Sequence, residues 1–262
     1  GLQTAGIAVG GAEQDNDPLG VAESYNGSTW TEVADLNTAR AWPAAAGITT
    51  AGICFGGDTP TKVANTETWN GTSWTEVGDL NTARNTLAGA GTSTATLAFG
   101  GYVTAVSALN ESFNGTSWAE TADLNTARFS LGSAFQGTST ASLAFGGGTT
   151  PATGVAESWN GTSWTEVADL NDGRTEMAGM GTAAAALAAG GDTPGNTANT
   201  ESYNGTSWTE VANLSTARSE VSGAGSGSAG LAFGGTTGTA LVATEEWSEP
   251  TTTTVTFDAS DV

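Results

Sequence analysis

The chain has no histidine, a single cysteine, and one lysine among six basic residues set against 27 acidic ones. Each shortage closes off a chemistry. Without histidine it lacks the commonest general base and the commonest metal ligand. The lone Cys54 excludes an intrachain disulfide framework, a zinc cluster and a CxxC redox pair. A net charge of −21 leaves too little Lys and Arg to meet phosphates, so no nucleic acid is expected as a partner, nor an acidic membrane face. There is no run of about 18 apolar residues, so no direct membrane insertion is expected. No charged-then-apolar leader opens the chain, and Gly1 stands where an initiator Met would, which points to a processed chain or part of one. What is abundant is glycine, 38 of 262 residues; at 25.9 kDa the side chains are small, and any sheets must pack closely. The length suits one large domain or two small ones.

Self-similarity organises the rest. Double glycines fall at Gly10-Gly11, Gly56-Gly57, Gly100-Gly101, Gly146-Gly147, Gly190-Gly191 and Gly234-Gly235, at steps of 46, 44, 46, 44 and 44. A glutamate two residues before an aromatic recurs with them: Glu23, Glu67, Glu111, Glu157, Glu201 and Glu245. Trp30, Trp74, Trp118, Trp164 and Trp208 follow, then Arg40, Arg84, Arg128, Arg174 and Arg218, which are all the arginines in the chain. A period near 44 matches one four-stranded propeller blade. One unit reads as strands within Ala83 to Gly91, Thr94 to Gly101, Ala108 to Asn114 and Thr116 to Leu124, rich in Thr, Val and aromatics. Asn-Gly lies between the third and fourth strands in five units, which predicts a type I′ hairpin joining antiparallel neighbours.

An apolar-leaning strand before a double glycine, two spaced aromatics and an arginine opening the next unit together resemble the kelch repeat. The resemblance runs from Gly6 to Trp247, with Ala-rich second strands such as Leu187 to Gly191 as its main departure. It implies an all-β, six-bladed kelch-like β-propeller of four-stranded antiparallel blades. The units lie near residues 1–39, 40–83, 84–127, 128–173, 174–217 and 218–250, with 251–262 as a tail and closing strand. Counting strands gives three in unit one, sixteen in units two to five and three in unit six; the tail makes 23 of the 24 that a six-bladed ring needs. The tail is expected as the outer fourth strand of blade six, with Val255 where Val211 falls in unit five. Blade one then lacks its innermost strand, to be filled by residues upstream of Gly1 or by a neighbouring copy. The competing arrangement bends the tail inward to pair with Ile7 to Val9.

Few residues offer chemistry. Arginines repeated around a ring could converge on an axial anion, but one Arg and one Glu per unit fit a structural pair better, and Asp35, Asp79, Asp123 and Asp169, five residues before four of the arginines, favour pairing too. Periodic tryptophans fit a core between blades; Trp42, off their register, is the one free for a sugar ring. The Ser-x-Asn-Gly-Thr-Ser-Trp segments look like a shortened sialidase Asp-box, one residue short and without that family's clustered arginine triad. A copper oxidase of the galactose oxidase kind would need the missing histidines. Glu13, Asp15 and Asp17, in the longest loop after a double glycine, are weak candidates for a cation. A two-residue insertion falls near Phe135-Gln136-Gly137.

No catalytic residue set, enzyme activity or cofactor is expected. The expected role is a structural or adhesive component of an extracellular assembly, a virion or surface-fibre protein held by protein partners. Segments such as Asn70 to Arg84 are also similar to stretches of predicted marine phage structural proteins. The alternative is a lectin-like propeller that binds surface glycans with the variable loops at one end. A cytosolic kelch adaptor ranks third, because no partner domain is attached and the charge is extreme.

Overall fold

In the computed structural model, which describes residues 1–13, 17–149 and 151–249, the chain is an all-β propeller of six blades. Blade one is β1 (Ile7–Val9), β2 (Ala22–Tyr25) and β3 (Trp30–Glu32). Blade two is β4 (Ala44–Ile48), β5 (Ala51–Phe55), β6 (Thr66–Trp69) and β7 (Trp74–Glu76). Blade three is β8 (Ala88–Thr92), β9 (Ala95–Phe99), β10 (Asn110–Phe113) and β11 (Trp118–Glu120). Blade four is β12 (Gly132–Ser133), β13 (Ser142–Phe145), β14 (Ala156–Trp159) and β15 (Trp164–Val167). Blade five is β16 (Ala178–Thr182), β17 (Ala185–Ala189), β18 (Thr200–Tyr203) and β19 (Trp208–Glu210). Blade six is β20 (Ser222–Gly225), β21 (Ala229–Phe233) and β22 (Thr244–Ser248). Every pairing is between antiparallel sequence neighbours, and no helix occurs among the described residues.

The strands are shorter than the sequence segments that signalled them. Arg84 to Leu87, for example, approaches the axis with only an isolated bridge from Asn85 to Tyr102, and the ladder starts at Ala88 opposite Phe99. The innermost strands carry the smallest residues, as in Ala44–Ile48 and Ser222–Gly225, because six of them crowd around one axis. The second strands carry the core: Ile53, Phe55, Leu97, Phe99, Leu143 and Phe145 are fully buried between adjacent blades. Blades one and six close the ring, with Trp30 packed on Phe233 at 4.9 Å, the rings tilted by 56°, and Gln3 donating to Gly230 and Trp247 carbonyls at 3.2 and 3.0 Å.

The Asn-Gly dipeptide joins the third and fourth strands as expected, but not through a type I′ turn. Four residues separate Tyr25 from its partner Trp30, and of the Asn-Gly pair only Gly27 has a positive φ. The Asn26 side chain closes the loop instead, its Oδ1 accepting from the Ser28 and Thr29 amides at 3.0 and 2.9 Å. A short polar side chain that mimics a backbone acceptor competes with the tighter turn. The predicted place of Val255 and Phe257 beside β22 falls outside the described residues. Among the described residues blade one holds three strands, with β1 innermost.

Candidate functional site

The five arginines point away from the axis into the sheets. Each lies a few residues before an innermost strand, its side chain fully buried, and meets the third-strand glutamate of the same blade at 2.5–2.8 Å: Arg40–Glu67, Arg84–Glu111, Arg128–Glu157, Arg174–Glu201 and Arg218–Glu245. Each guanidinium also donates to at least one backbone carbonyl, such as Arg84 Nη2 to Ala98 at 3.0 Å, while Nε of Arg40, Arg84, Arg174 and Arg218 is buried with no partner among the described residues. The carboxylates are saturated as well. Glu111 Oε2 accepts from the backbone and side-chain nitrogens of Asn81 at 2.7 and 2.8 Å. Burial lowers the Arg84 and Arg128 pKa values from the ordinary arginine range, opposed by the attraction of Glu111 and Glu157. A pair so completely desolvated gives little net stability relative to apolar residues, yet losing one partner is costly.

The aspartates five residues before the arginines do something other than pair with them. Asp79, Asp123 and Asp169 each accept, at 3.1 Å, the amide that opens the third strand of their own blade, from Thr66, Asn110 and Ala156. Asn213 does the same for Thr200 at 2.9 Å, so the position needs a side-chain oxygen rather than a charge. The double glycines tie blade to blade. Gly57 N donates to Arg84 O at 2.9 Å, and Gly56, at φ +65°, sits so close that an added Cβ would lie 2.6 Å from that same oxygen. Here glycine is required by both conformation and contact.

Trp74, Trp118, Trp164 and Trp208 are buried and Trp30 half-buried. Phe55–Trp118, Phe99–Trp164 and Phe145–Trp208 pack across blade boundaries at 4.9–5.0 Å, so the tryptophans are not available to stack on a sugar. Trp42 lies outside the tryptophan register but within another repeat position. It belongs to a backbone series two residues after each arginine: Trp42, Thr86, Ser130, Glu176 and Glu220 all have φ between 47° and 58°. Thr86 N donates to Trp42 O, Ser130 N to Thr86 O and Glu176 N to Ser130 O, at 2.8–3.2 Å, forming a hydrogen-bonded collar round the double-glycine end of the axis. Side-chain identity at that position varies while backbone conformation repeats, which is why aligned residue types did not reveal it. Within the collar, Glu176 has a raised pKa, chiefly from burial and then from the charges of Glu220 and Asp192.

Around the axis lies a cavity of about 550 Å³ lined mainly by small apolar residues of the innermost strands, with Glu23 as the only titratable side chain on its wall among the described residues. The insertion near Phe135 closes the opposite, hairpin end: Phe135 lines the cavity and Gln136 donates from Nε2 to Gly1 O at 3.0 Å. Cys54 is fully buried in blade two, and burial pushes its thiol up to about 11, so it is no nucleophile. Among the described residues no group of three acids, cysteines or histidines is placed to hold a metal. Glu13 and Asp17 are exposed, bridged by the amide of one and the carbonyl of the other at 3.1 Å; Asp15 lies outside the described residues. Tyr102 stands 36% exposed on the double-glycine end, edge-on to Phe129 at 6.1 Å and beneath the Lys62 ammonium at 5.1 Å. No protein-family model matches the chain, and no curated protein matches it in sequence.

Proposed function

We propose that this propeller is a non-enzymatic structural or adhesive component of an extracellular assembly, a virion or surface-fibre protein, built from kelch-type repeats. One observation carries the reading: all five arginines are consumed by internal Arg–Glu ties, one per blade in five blades, so the repeated charges that could have formed a ligand site hold the scaffold instead. What remains outside is an acidic surface rich in Thr, Ser and Asn, suited to solubility in salt and to protein neighbours within a shell. The test is to isolate large particles from the source and quantify this polypeptide by mass spectrometry. Many copies per particle are expected. Recovery only as a free monomer, absent from any particle, would count against the assembly role.

Glycan binding at the double-glycine end is the second reading, favoured by the exposed Tyr102 face with Phe129 and Lys62 beside it. Binding to a glycan array that Tyr102→Ala removes would support it.

A further inference from the structure

Five seams between successive blades are closed by one recurring segment, Asp-Leu-Asn-Thr-Ala-Arg in its commonest form, and the sixth lacks it. Between blades two and three, Leu80 N donates to Ala64 O at 3.0 Å, Asn81 and Arg84 hold Glu111, and Arg84 O accepts from Gly57 N at 2.9 Å. The chain then continues as β8, which pairs with β9. The segment thus grips the outgoing blade with backbone and the incoming blade with side chains.

Between blades six and one, the partners of such a segment stand open on both sides. Glu23 is exposed and has no ion pair or side-chain hydrogen bond among the described residues, all five arginines being bound elsewhere. An added Cβ on Gly234 meets nothing within 4 Å, whereas at Gly10, Gly56, Gly100, Gly146 and Gly190 it meets an arginine carbonyl at 2.6–3.0 Å. Val242, at the position that Ala64 fills in blade two, is 102% exposed. The inner edge of β1 borders the axial cavity and, among the described residues, has no strand beside it.

Gly1 supplies the direction. Gly1 to Gly6 follow the same pattern as Gly47 to Gly52, and Gly47 is the last but one residue of β4. Gly1 N donates to Gly47 O at 2.8 Å and Gly1 O accepts from Gly225 N at 3.2 Å, so Gly1 already occupies an inner-strand end. In blade two, Ala44, Ala45 and Ala46 lie opposite Phe55, Cys54 and Ile53. By that register a strand opposite Val9, Ala8 and Ile7 ends at the Gly1 nitrogen.

We propose that this seam is a receptor for one further arginine-led β-strand of the repeat's own type, running in line into the Gly1 nitrogen and completing blade one as its innermost strand. Its arginine pairs with Glu23, that residue's carbonyl accepts from Gly235, its leucine covers Val242, and its small-residue strand adds to β1 by backbone hydrogen bonds. Residues 250–262 do not meet this requirement: they contain no arginine, and Asp258 and Asp261 would bring like charge toward Glu23. Such a strand would be received whether or not the propeller belongs to a larger assembly.

The test fuses a copy of Asp79 to Ala90 ahead of Gly1 and, separately, titrates the same twelve residues as a free peptide into the unmodified chain. The fusion is expected to raise the melting temperature by roughly 5 °C or more. Replacing the added arginine by Gln, or Glu23→Gln in the chain, is expected to remove most of that rise. The free peptide is expected to bind one to one, at least tenfold more weakly to the Glu23→Gln chain, which by itself melts as the parent does. A fusion that gives no rise, or a rise that survives both substitutions, overturns the proposal. A peptide that binds while the fusion fails to stabilise overturns the in-line arrival at Gly1.

Discussion

Arg84→Ala is the most informative single perturbation. The side chain is fully buried and makes two contacts, to Glu111 Oε1 at 2.6 Å and to the Ala98 carbonyl at 3.0 Å. Removing it leaves a buried carboxylate without its counter-charge, a loss of about 3–5 kcal/mol for a pair of this kind. Two bonds from Asn81 still reach Glu111, which holds the cost toward the lower half of that range, and the Ala98 carbonyl keeps its place opposite Glu111 in the β9–β10 ladder. For a chain of this size a loss of about 4 kcal/mol lowers the melting temperature by roughly 8–16 °C. Urea denaturation at neutral pH, followed by tryptophan fluorescence, reads the same loss. The cycle with Glu111→Gln sharpens it. Removing the charge from the carboxylate costs stability in the parent and restores some in the Arg84→Ala background, since a buried charge without a partner costs more than a buried amide in the same place. A loss below about 1 kcal/mol, or additive effects of the two substitutions, would refute the idea that the pair is desolvated and binds its blade together.

Other perturbations follow the same geometry. Gly57→Ala places a Cβ 2.7 Å from the Ala41 carbonyl at φ +106°, and is expected to lower stability by about 2 kcal/mol or more in urea melts. Ser130→Gly relieves a left-handed conformation at φ +49° and is expected to stabilise by up to about 1 kcal/mol, seen as a higher midpoint. Glu176 has its folded-state pKa raised above 4.5, so the native state holds its proton more tightly than the unfolded chain and stability falls as pH rises through that raised value. Glu176→Gln therefore melts roughly 1–2 °C higher than the parent at pH 7, a modest figure because the group is partly solvent-screened, and equally with it below about pH 4.

The blade count and strand order were legible in the sequence because each depends on residues that physical chemistry leaves little freedom to change. The double glycines mark a backbone position where a Cβ would strike an arginine carbonyl, and the unbroken run of buried residues in β5 and β9 marks strands enclosed on both faces. What escaped were features carried by backbone conformation or by side chains of several types. The collar at Trp42, Thr86, Ser130, Glu176 and Glu220 has no common residue type, only a common φ, so Trp42 read as a free aromatic. Asp79 and its equivalents resembled salt-bridge partners because charge was visible and the waiting amide of Thr66 was not. Asn26 suggested a two-residue turn until its side chain proved to close a four-residue one. The open seam did leave a trace: six motif glutamates stand against five arginines, and the surplus one is Glu23, ahead of every arginine in the chain.

The insertion at Phe135 to Gly137 gives the ring an index. Five double-glycine ties and five Arg–Glu pairs built from near copies are interchangeable, so during folding one blade can dock beside the wrong neighbour with almost all of its contacts satisfied. Mistakes of that sort raise no local alarm. Blade four differs: its innermost strand is cut to two residues, Gln136 N reaches Gly181 O at 2.9 Å, Phe135 O accepts from Gly91 N at 3.2 Å, and the Gln136 side chain bonds Gly1 across the axis. Those contacts tie the fourth blade to the third, to the fifth and, across the axis, to the chain's first residue. A two-residue irregularity thus gives a ring of near copies one blade that is not interchangeable with the rest, and shortening it to match the other blades would remove that distinction.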